Sequence, residues 1–201
     1  ENKSSYNDIS IMIENDLPVL SISSWTTQEG GSFETFSLAD YVSDNGTPFD
    51  SLLIDVSTGP NYTAEIVDDI MNVYPPSDPD WHGSELVSFE ITDAHPYNVK
   101  TLEADMEFII TPVNDAPIIA DKSNEVIDED VPTTFAMELT DIDTGEVLTL
   151  SSISSVSELS VTTSSEDSTI TVTPAADWYG ESEVVVIVSD GELTDTTSFL
   201  L

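Results

Sequence analysis

The 201-residue chain carries 40 Asp and Glu against three Lys and no Arg, a formal net charge of −37. A surface of that sign repels phosphate, which excludes nucleic acid as a partner and disfavours an anionic membrane. With no cysteine, disulfides, thiolate zinc sites and a cysteine nucleophile are also excluded. The hydrophobic share, 39%, is enough for two small cores, so the charge does not read as disorder. No apolar run approaches the length of a membrane span, and no membrane insertion is expected.

Along the chain, Ile9, Ile11 and Ile13 alternate with Ser10 and Met12, a strand pattern that runs into Asn15-Asp16-Leu17-Pro18. Thr63–Met71 is the one stretch with any helical argument, and it lacks a good apolar face. Phe108–Ile110 is β-like and leads into Asn114-Asp115-Ala116-Pro117. Further on, Leu148 and Leu150 flank Thr149, Ile170 and Val172 flank Thr171, and Val184–Val188 is nearly continuous in β-branched residues. Gly, Pro, Asn and Asp clusters break these runs about every ten residues, as turns of an all-β chain do. The expected fold is two antiparallel β-sandwiches in tandem, about seven strands each.

The tandem organisation rests on three markers. Asn-Asp-x-Pro occurs at 15 and 114, 99 residues apart. Asp80-Trp81-His82-Gly83 returns 97 residues later as Asp177-Trp178-Tyr179-Gly180, and Thr92-Asp93 returns at the same spacing as Ser189-Asp190. One period is therefore a domain of about one hundred residues. Residues 15–113 and 114–201 read as two repeats, and residues 1–14 as the last strand of a preceding one. Proline in the Asn-Asp-x-Pro pieces stiffens the connection.

An odd number of antiparallel strands brings the chain in at one end of a sandwich and out at the other. In the first repeat the turns holding Glu29 and Asp78/Asp80 then fall at the exit end, toward Asn114-Asp115. In the second, Asp141-Ile142-Asp143 and Asp190-Gly191 fall at the opposite end, toward the same linker. Unpaired, such carboxylates repel by roughly 3 kcal/mol per pair about 5 Å apart. Oxygen donors without His or Cys suit Ca²⁺, which takes six to eight oxygens in flexible geometry, better than Mg²⁺.

The Asn-Asp-Ala-Pro linker, Glu129-Asp130, Asp141-Ile142-Asp143, Thr173-Pro174 with Asp177-Trp178-Tyr179-Gly180, and Ser189-Asp190-Gly191 together resemble bacterial cadherin-like tandem repeats of large secreted RTX-type adhesins. The resemblance implies cadherin/immunoglobulin-like sandwiches whose inter-repeat Ca²⁺ stiffens an extended rod. It implies the ligand set Glu29, Asp80, Asn114, Asp115, Asp141, Asp143 and Asp190. It also implies an extracellular, bacterial cell-surface location, with neighbouring repeats and a surface glycan or protein as partners. The first repeat departs from the pattern: Asp40-Tyr41-Val42-Ser43-Asp44-Asn45-Gly46 stands where Asp-x-Asp is expected, and Asp93-Ala94-His95-Pro96 lacks Asp-Gly. An upstream set of Glu14, Asp16, Asp44 and Asp93 is accordingly less regular, and Glu129, Asp130 and Asp177 form half of a downstream set.

The alternative is a carbohydrate- or protein-binding module in the first repeat, built on Thr58–Asp80 with Tyr62 and Tyr74. Against that stands ordinary packing of Trp25, Tyr62, Tyr74 and Tyr97, with Trp81 and Trp178 as plugs of their cores. No nucleophile elbow, His-Glu-x-x-His or phosphate loop is visible, and the chain is expected not to be an enzyme.

Overall fold

A computed structural model of the chain describes residues 15–201. The Ile9–Ile13 run and Glu14 lie outside the described residues. The chain divides into two compact units, Glu1–Val113 (unit 1) and Asn114–Leu201 (unit 2). Both are β-structures, with two short 3₁₀ turns, Leu38–Asp40 and Phe49–Ser51, in unit 1.

Unit 1 contains β1 (Val19–Leu20), β2 (Ser24–Gln28), β3 (Phe36–Ser37), β4 (Val42–Ser43), β5 (Leu53–Thr58), β6 (Thr63–Val67), β7 (Ile70–Tyr74), β8 (Gly83–Thr92) and β9 (Thr101–Thr111). One sheet has the order β2-β9-β8-β5, the other β3-β7-β6, and β1 pairs with β4. All pairings are antiparallel except β2 with β9. Alternation in β8 explains its place: Val87, Phe89 and Ile91 are buried while Leu86, Ser88 and Glu90 face out. Each such buried side chain contributes about 1.5–3 kcal/mol. Phe33, Tyr62, Phe108 and Trp81 close the core through edge-on ring contacts 5.1–5.9 Å between centroids. Thr63–Met71, the stretch with a helical argument, lies in a β-hairpin. Asp68 and Asp69 make its two-residue turn at φ 49° and 64°, the left-handed pair that joins twisted strands most easily.

Unit 2 contains β10 (Ile118–Ile119), β11 (Thr133–Ala136), β12 (Leu139–Thr140), β13 (Thr149–Ser154), β14 (Leu159–Ser164), β15 (Thr169–Pro174), β16 (Glu183–Ser189) and β17 (Thr194–Leu200). Its sheets are β11-β15-β14 and β13-β16-β17, with β10 paired to β12. The β-branched run of β16 is split by the pleat: Val184, Val186 and Val188 are fully buried, Val185 and Ile187 face outward. Lys122 lies 4.6 Å over the Phe135 ring and 5.6 Å from that of Phe199, held by Glu125 at 2.8 Å.

The Asp-Trp-x-Gly motif now has a packing reason. Trp81 and Trp178 lie against the cores of their units. Gly83 (φ 144°) and Gly180 (φ 152°) present their Cα to these rings, where an added Cβ would sit 3.1 and 3.5 Å from the indole. Glycine both permits the φ and leaves room for the ring.

Candidate metal centre

Unit 2 gathers its carboxylates where its chain begins. The β12–β13 loop supplies Asp141, Asp143 and Glu146, the β16–β17 turn supplies Asp190, and Asn114-Asp115 runs beside both. Carboxylate oxygens of Asp141, Glu146 and Asp190 all lie within 4.8 Å of one another. Asp141 Oδ1 accepts the Asp143 N–H at 3.0 Å, while its Oδ2 is buried and has no hydrogen-bond partner among the described residues. Asp143 Oδ2 accepts the Asp115 N–H at 2.7 Å. Asp190 Oδ1 accepts the N–H groups of Glu192 (2.6 Å) and Leu193 (2.7 Å), and its Oδ2 accepts from the Asn114 side-chain amide at 3.0 Å.

The electrostatics split accordingly. The Asn114 amide, followed by the Leu193 N–H, holds the Asp190 carboxyl below the usual carboxylate range. Glu146 goes the other way: desolvation, then the charges of Asp190, Asp141, Asp143 and Glu192, push its pKa up. A buried oxygen without a donor, in a cluster too negative for its own members, costs free energy until a cation arrives. The donors are all oxygens, which fits a hard divalent cation of flexible coordination.

Five of the seven sequence-derived ligands, Asn114, Asp115, Asp141, Asp143 and Asp190, are thus brought together within unit 2. Glu146 was missed. Its signal was present in Asp141-Ile142-Asp143-Thr144-Gly145-Glu146, where Gly145 at φ 96° makes the turn between the acids. Glu29 and Asp80 belong to unit 1, on turns that abut each other: a Cβ on Gly30 would lie 3.9 Å from the Pro79 carbonyl. Glu29 accepts the Val113 N–H and pairs with His82 Nδ1 at 3.2 Å. Asp80 is half-buried and donates its N–H to Asp78 Oδ1 at 3.3 Å.

Unit 1 repeats the arrangement of unit 2 around Asn15. Its amide donates to Asp93 Oδ2 at 2.6 Å, and Asp93 Oδ1 accepts the N–H groups of His95 and Lys100, both at 3.1 Å. Burial works to raise the pKa of Asp93, but these donors outweigh it and the net displacement is downward. Asp44 Oδ1 accepts from Gly46 (2.8 Å) and Thr47 (2.6 Å), whereas Asp44 Oδ2 and Asn15 Oδ1 are buried without a partner among the described residues. Asp16 Oδ2 accepts from the Asn45 amide at 3.2 Å. In the downstream set, Asp130 Oδ1 accepts the Asp177 N–H at 2.9 Å.

The aromatic residues divide between core and surface. Trp25 and Tyr62 join the core of unit 1, while Tyr74 and Tyr97 are exposed. Among the described residues no helix is long and apolar enough to cross a membrane.

No curated protein sequence matches the chain. Among solved structures it is similar to human protocadherin-24 EC1-2, at 20% identity and TM-score 0.56, covering 92% of this chain and 97% of that one. It is similar also to Drosophila N-cadherin EC1-4, at 14% identity and TM-score 0.57, covering 92% of this chain and 49% of that one. An endo-fucoidan hydrolase of glycoside hydrolase family 107 aligns at 14% identity over 92% of this chain; the chain spans 28% of its length, and a TM-score of 0.35 carries no argument. At these identities the likeness establishes the fold, a cadherin-like β-sandwich. The family model that matches is that of the cadherin-like domain, over residues 113–200, so that the second unit is a cadherin-like domain.

Proposed function

We propose that the chain is a calcium-stiffened extender and adhesion segment of a secreted bacterial surface adhesin. Its repeats are 15–113 and 114–201, with 1–14 the last strand of a repeat before them, and it is not an enzyme. One observation carries the reading: the buried, donorless Asp141 Oδ2 inside a cluster with Glu146 and Asp190. A calcium ion there takes its oxygens from Asp141, Asp143, Asp190 and Glu146, with Asn114 and Asp115 alongside. Glu29 and Asp80 complete the set from unit 1. Without calcium the carboxylates repel and the linker flexes; with it the linker is fixed. Linkage gives about 2.7 kcal/mol of stabilisation when calcium is one hundredfold above its dissociation constant. Extracellular modules commonly bind in the ~0.1–1 mM range. The donorless Asn15 Oδ1 and Asp44 Oδ2 support a second, weaker cation site on unit 1. In the full array the partners are neighbouring repeats, together with a cell-surface glycan or protein.

Small-angle scattering with and without calcium at matched ionic strength, paired with thermal melting, tests this reading. Calcium should reduce interdomain flexibility and raise the melting temperature, and Asp141→Ala/Asp143→Ala should abolish both effects. No change in shape or stability would reduce the cluster to solvation. Glu29→Gln/Asp80→Asn should weaken the scattering response while unit 2 keeps most of its calcium-dependent melting shift. An unchanged scattering response would remove these two from the ligand set.

A further inference from the structure

Of the nine asparagines in the chain, Asn45 alone is followed by glycine. The pair lies in the loop after β4, and both residues are exposed. The loop is organised by Asp44, whose Oδ1 accepts the Gly46 N–H at 2.8 Å and that of Thr47 at 2.6 Å. Asp44 Oδ2 is buried and has no partner among the described residues. The Asn45 side-chain amide donates to Asp16 Oδ2 at 3.2 Å, a long bond at the surface. Three requirements of one reaction therefore meet here. The Gly46 nitrogen can close a five-membered ring on Asn45 Cγ, and it carries no Cβ neighbour to obstruct the approach. A carboxylate oxygen lies within the reach of a general base from the proton that must leave that nitrogen. The carbon under attack is open to water.

We infer that Asn45 is a site of spontaneous deamidation, with Asp44 as the base. The Gly46 nitrogen bonds to Asn45 Cγ as its proton passes to Asp44 Oδ1. The side-chain nitrogen then leaves, taking that proton with it as ammonia, and a succinimide remains. Water adds to either ring carbonyl and opens the ring, giving aspartate or its isomer linked through the side-chain carboxyl. One water enters, one ammonia departs, and nothing is oxidised or reduced. The new carboxylate turns the contact with Asp16 from a hydrogen bond into a repulsion. It also adds a negative charge to a loop in which Asp44 Oδ2 and Asn15 Oδ1 already lack donors. Unit 1 thereby moves toward the charge of unit 2. A cation on Asp44 occupies the base and holds the reaction back, so the loop gains charge when calcium is scarce. These two links to calcium rest on the cation site proposed for unit 1; the modification does not.

Other positions show what the reaction lacks elsewhere. Asn61 precedes Tyr62, and its amide is held by Glu85 at 2.8 Å. Asn114 is fastened to Asp190 and to the Asp115 carbonyl at 3.0 and 3.1 Å. Asp190-Gly191 could form the same ring, yet the Gly191 N–H donates to the Ser189 hydroxyl at 3.1 Å, which is not a base.

Peptide mapping by mass spectrometry of the whole chain, incubated for weeks at neutral pH in chelator, reads the reaction directly. Asn45 should exchange the mass of NH2 for that of OH before any other asparagine does, and part of the product should be isoaspartate. Gly46→Ala should slow the conversion at least tenfold; its Cβ would lie 3.4 Å from Asn15 Oδ1, an ordinary contact that leaves the loop in place. Asp44→Asn keeps an acceptor oxygen and removes the base. It should also slow conversion at least tenfold, since general-base assistance contributes about a hundredfold or more. Circular dichroism confirms that both variants are folded. An intact Asn45, or conversion that proceeds equally in Asp44→Asn, overturns the inference. Millimolar calcium should slow the wild-type reaction at least threefold, and Asn45→Asp should reach half-maximal calcium protection of unit 1 in hydrogen exchange at a calcium concentration at least threefold lower. Conversion in chelator that calcium leaves unchanged would uphold the modification and overturn the cation site of unit 1.

Discussion

In unit 1, Asn15 ties down Asp93 and the loop carboxylate Asp44 keeps one buried oxygen without a donor; in unit 2, Asn114 ties down Asp190 and Asp141 keeps the same orphan. The frames match residue for residue, but their charges do not. Where unit 2 places Asp143 and Glu146, two and five residues beyond Asp141, unit 1 has Gly46 and Phe49 at the same distances beyond Asp44, and the Gly46 and Thr47 N–H groups are turned onto Asp44. Unit 1 has thus met part of its own negative charge with backbone donors. Unit 2 turns a single backbone N–H, that of Asp143, onto Asp141 and adds two more acids to the loop, and Glu146 shows the consequence as a raised pKa. Two copies of one loop frame can therefore differ in cation demand through two side chains.

The largest expected effect breaks that comparison at its orphaned oxygens. With calcium about one hundredfold above its dissociation constant, Asp141→Ala should remove most of the roughly 2.7 kcal/mol that the ion contributes to unit 2. In chelator the same substitution should be neutral or slightly stabilising, because losing one hydrogen bond from the Asp143 N–H is offset by deleting a carboxylate that crowds Glu146 and Asp190. Asp44→Ala should cost unit 1 less in calcium than Asp141→Ala costs unit 2. Segment-resolved hydrogen exchange with and without calcium separates the two units. Equal losses, or a large loss in chelator, would show that these aspartates are structural rather than ligands.

A smaller effect separates the units by pH. Asp195, five residues beyond Asp190, accepts the N–H groups of Ile119 and Thr196 at 3.0 and 2.7 Å and pins β10 to β17. Asn98 stands five residues beyond Asp93 in unit 1, where no carboxylate is available. The Ile119 N–H, then that of Thr196, lowers the pKa of Asp195 below its ordinary value. A depressed folded pKa contributes stability that is fully present above the unfolded value, near 3.9, and is lost as pH falls through the folded one. Asp195→Asn should therefore destabilise unit 2 by about 1 kcal/mol near neutral pH. The difference from the wild type should shrink below about pH 4. Denaturation followed by Trp178 fluorescence, in a background with Trp25 and Trp81 replaced by Phe, gives the curve. A difference independent of pH would mean that shape, not charge, holds β10.

Much of this was legible in the sequence, for reasons that differ by element. Alternation around Thr149 and Thr171 exposed β13 and β15, and the continuous run Val184–Val188 exposed β16, because a pleated strand facing one core must alternate or be continuous. The repeat spacing located Asn114, Asp115 and Asp190, and the Asp-Ile-Asp turn marked Asp141 and Asp143, since residues at turn positions are fixed by local chain geometry. Thr63–Met71 looked ambiguous because its Asp68-Asp69 turn lacks the glycine that usually marks such a hairpin. Glu146 escaped because an acid in a chain with 40 of them carries little information until a fold brings it near Asp190. The pairing of Asn15 with Asp93 spans 78 residues, and no local pattern announces a contact of that separation.

The faces of the sheets sharpen the comparison with the smallest effect. On unit 1, Asp55, Glu90 and Glu103 occupy one cross-strand row, so that Glu90 has a like charge on either side. Like charges directly opposite each other in a sheet are destabilising, by a few tenths to about 1 kcal/mol for such pairs. Glu90→Gln keeps the side-chain shape and removes both repulsions, and should stabilise unit 1 by about 0.5 kcal/mol at low salt. Because the three positions are exposed, the gain should fade toward zero at 1 M NaCl. On unit 2 the equivalent middle position is Ile187, so Ser151→Asp/Thr196→Asp places two like charges across a neutral residue and should show a weaker salt dependence of folding. Urea midpoints for both variants at 0.05 and 1 M NaCl test the pair. A gain from Glu90→Gln that salt leaves unchanged would assign it to strand propensity instead of to the row of charges.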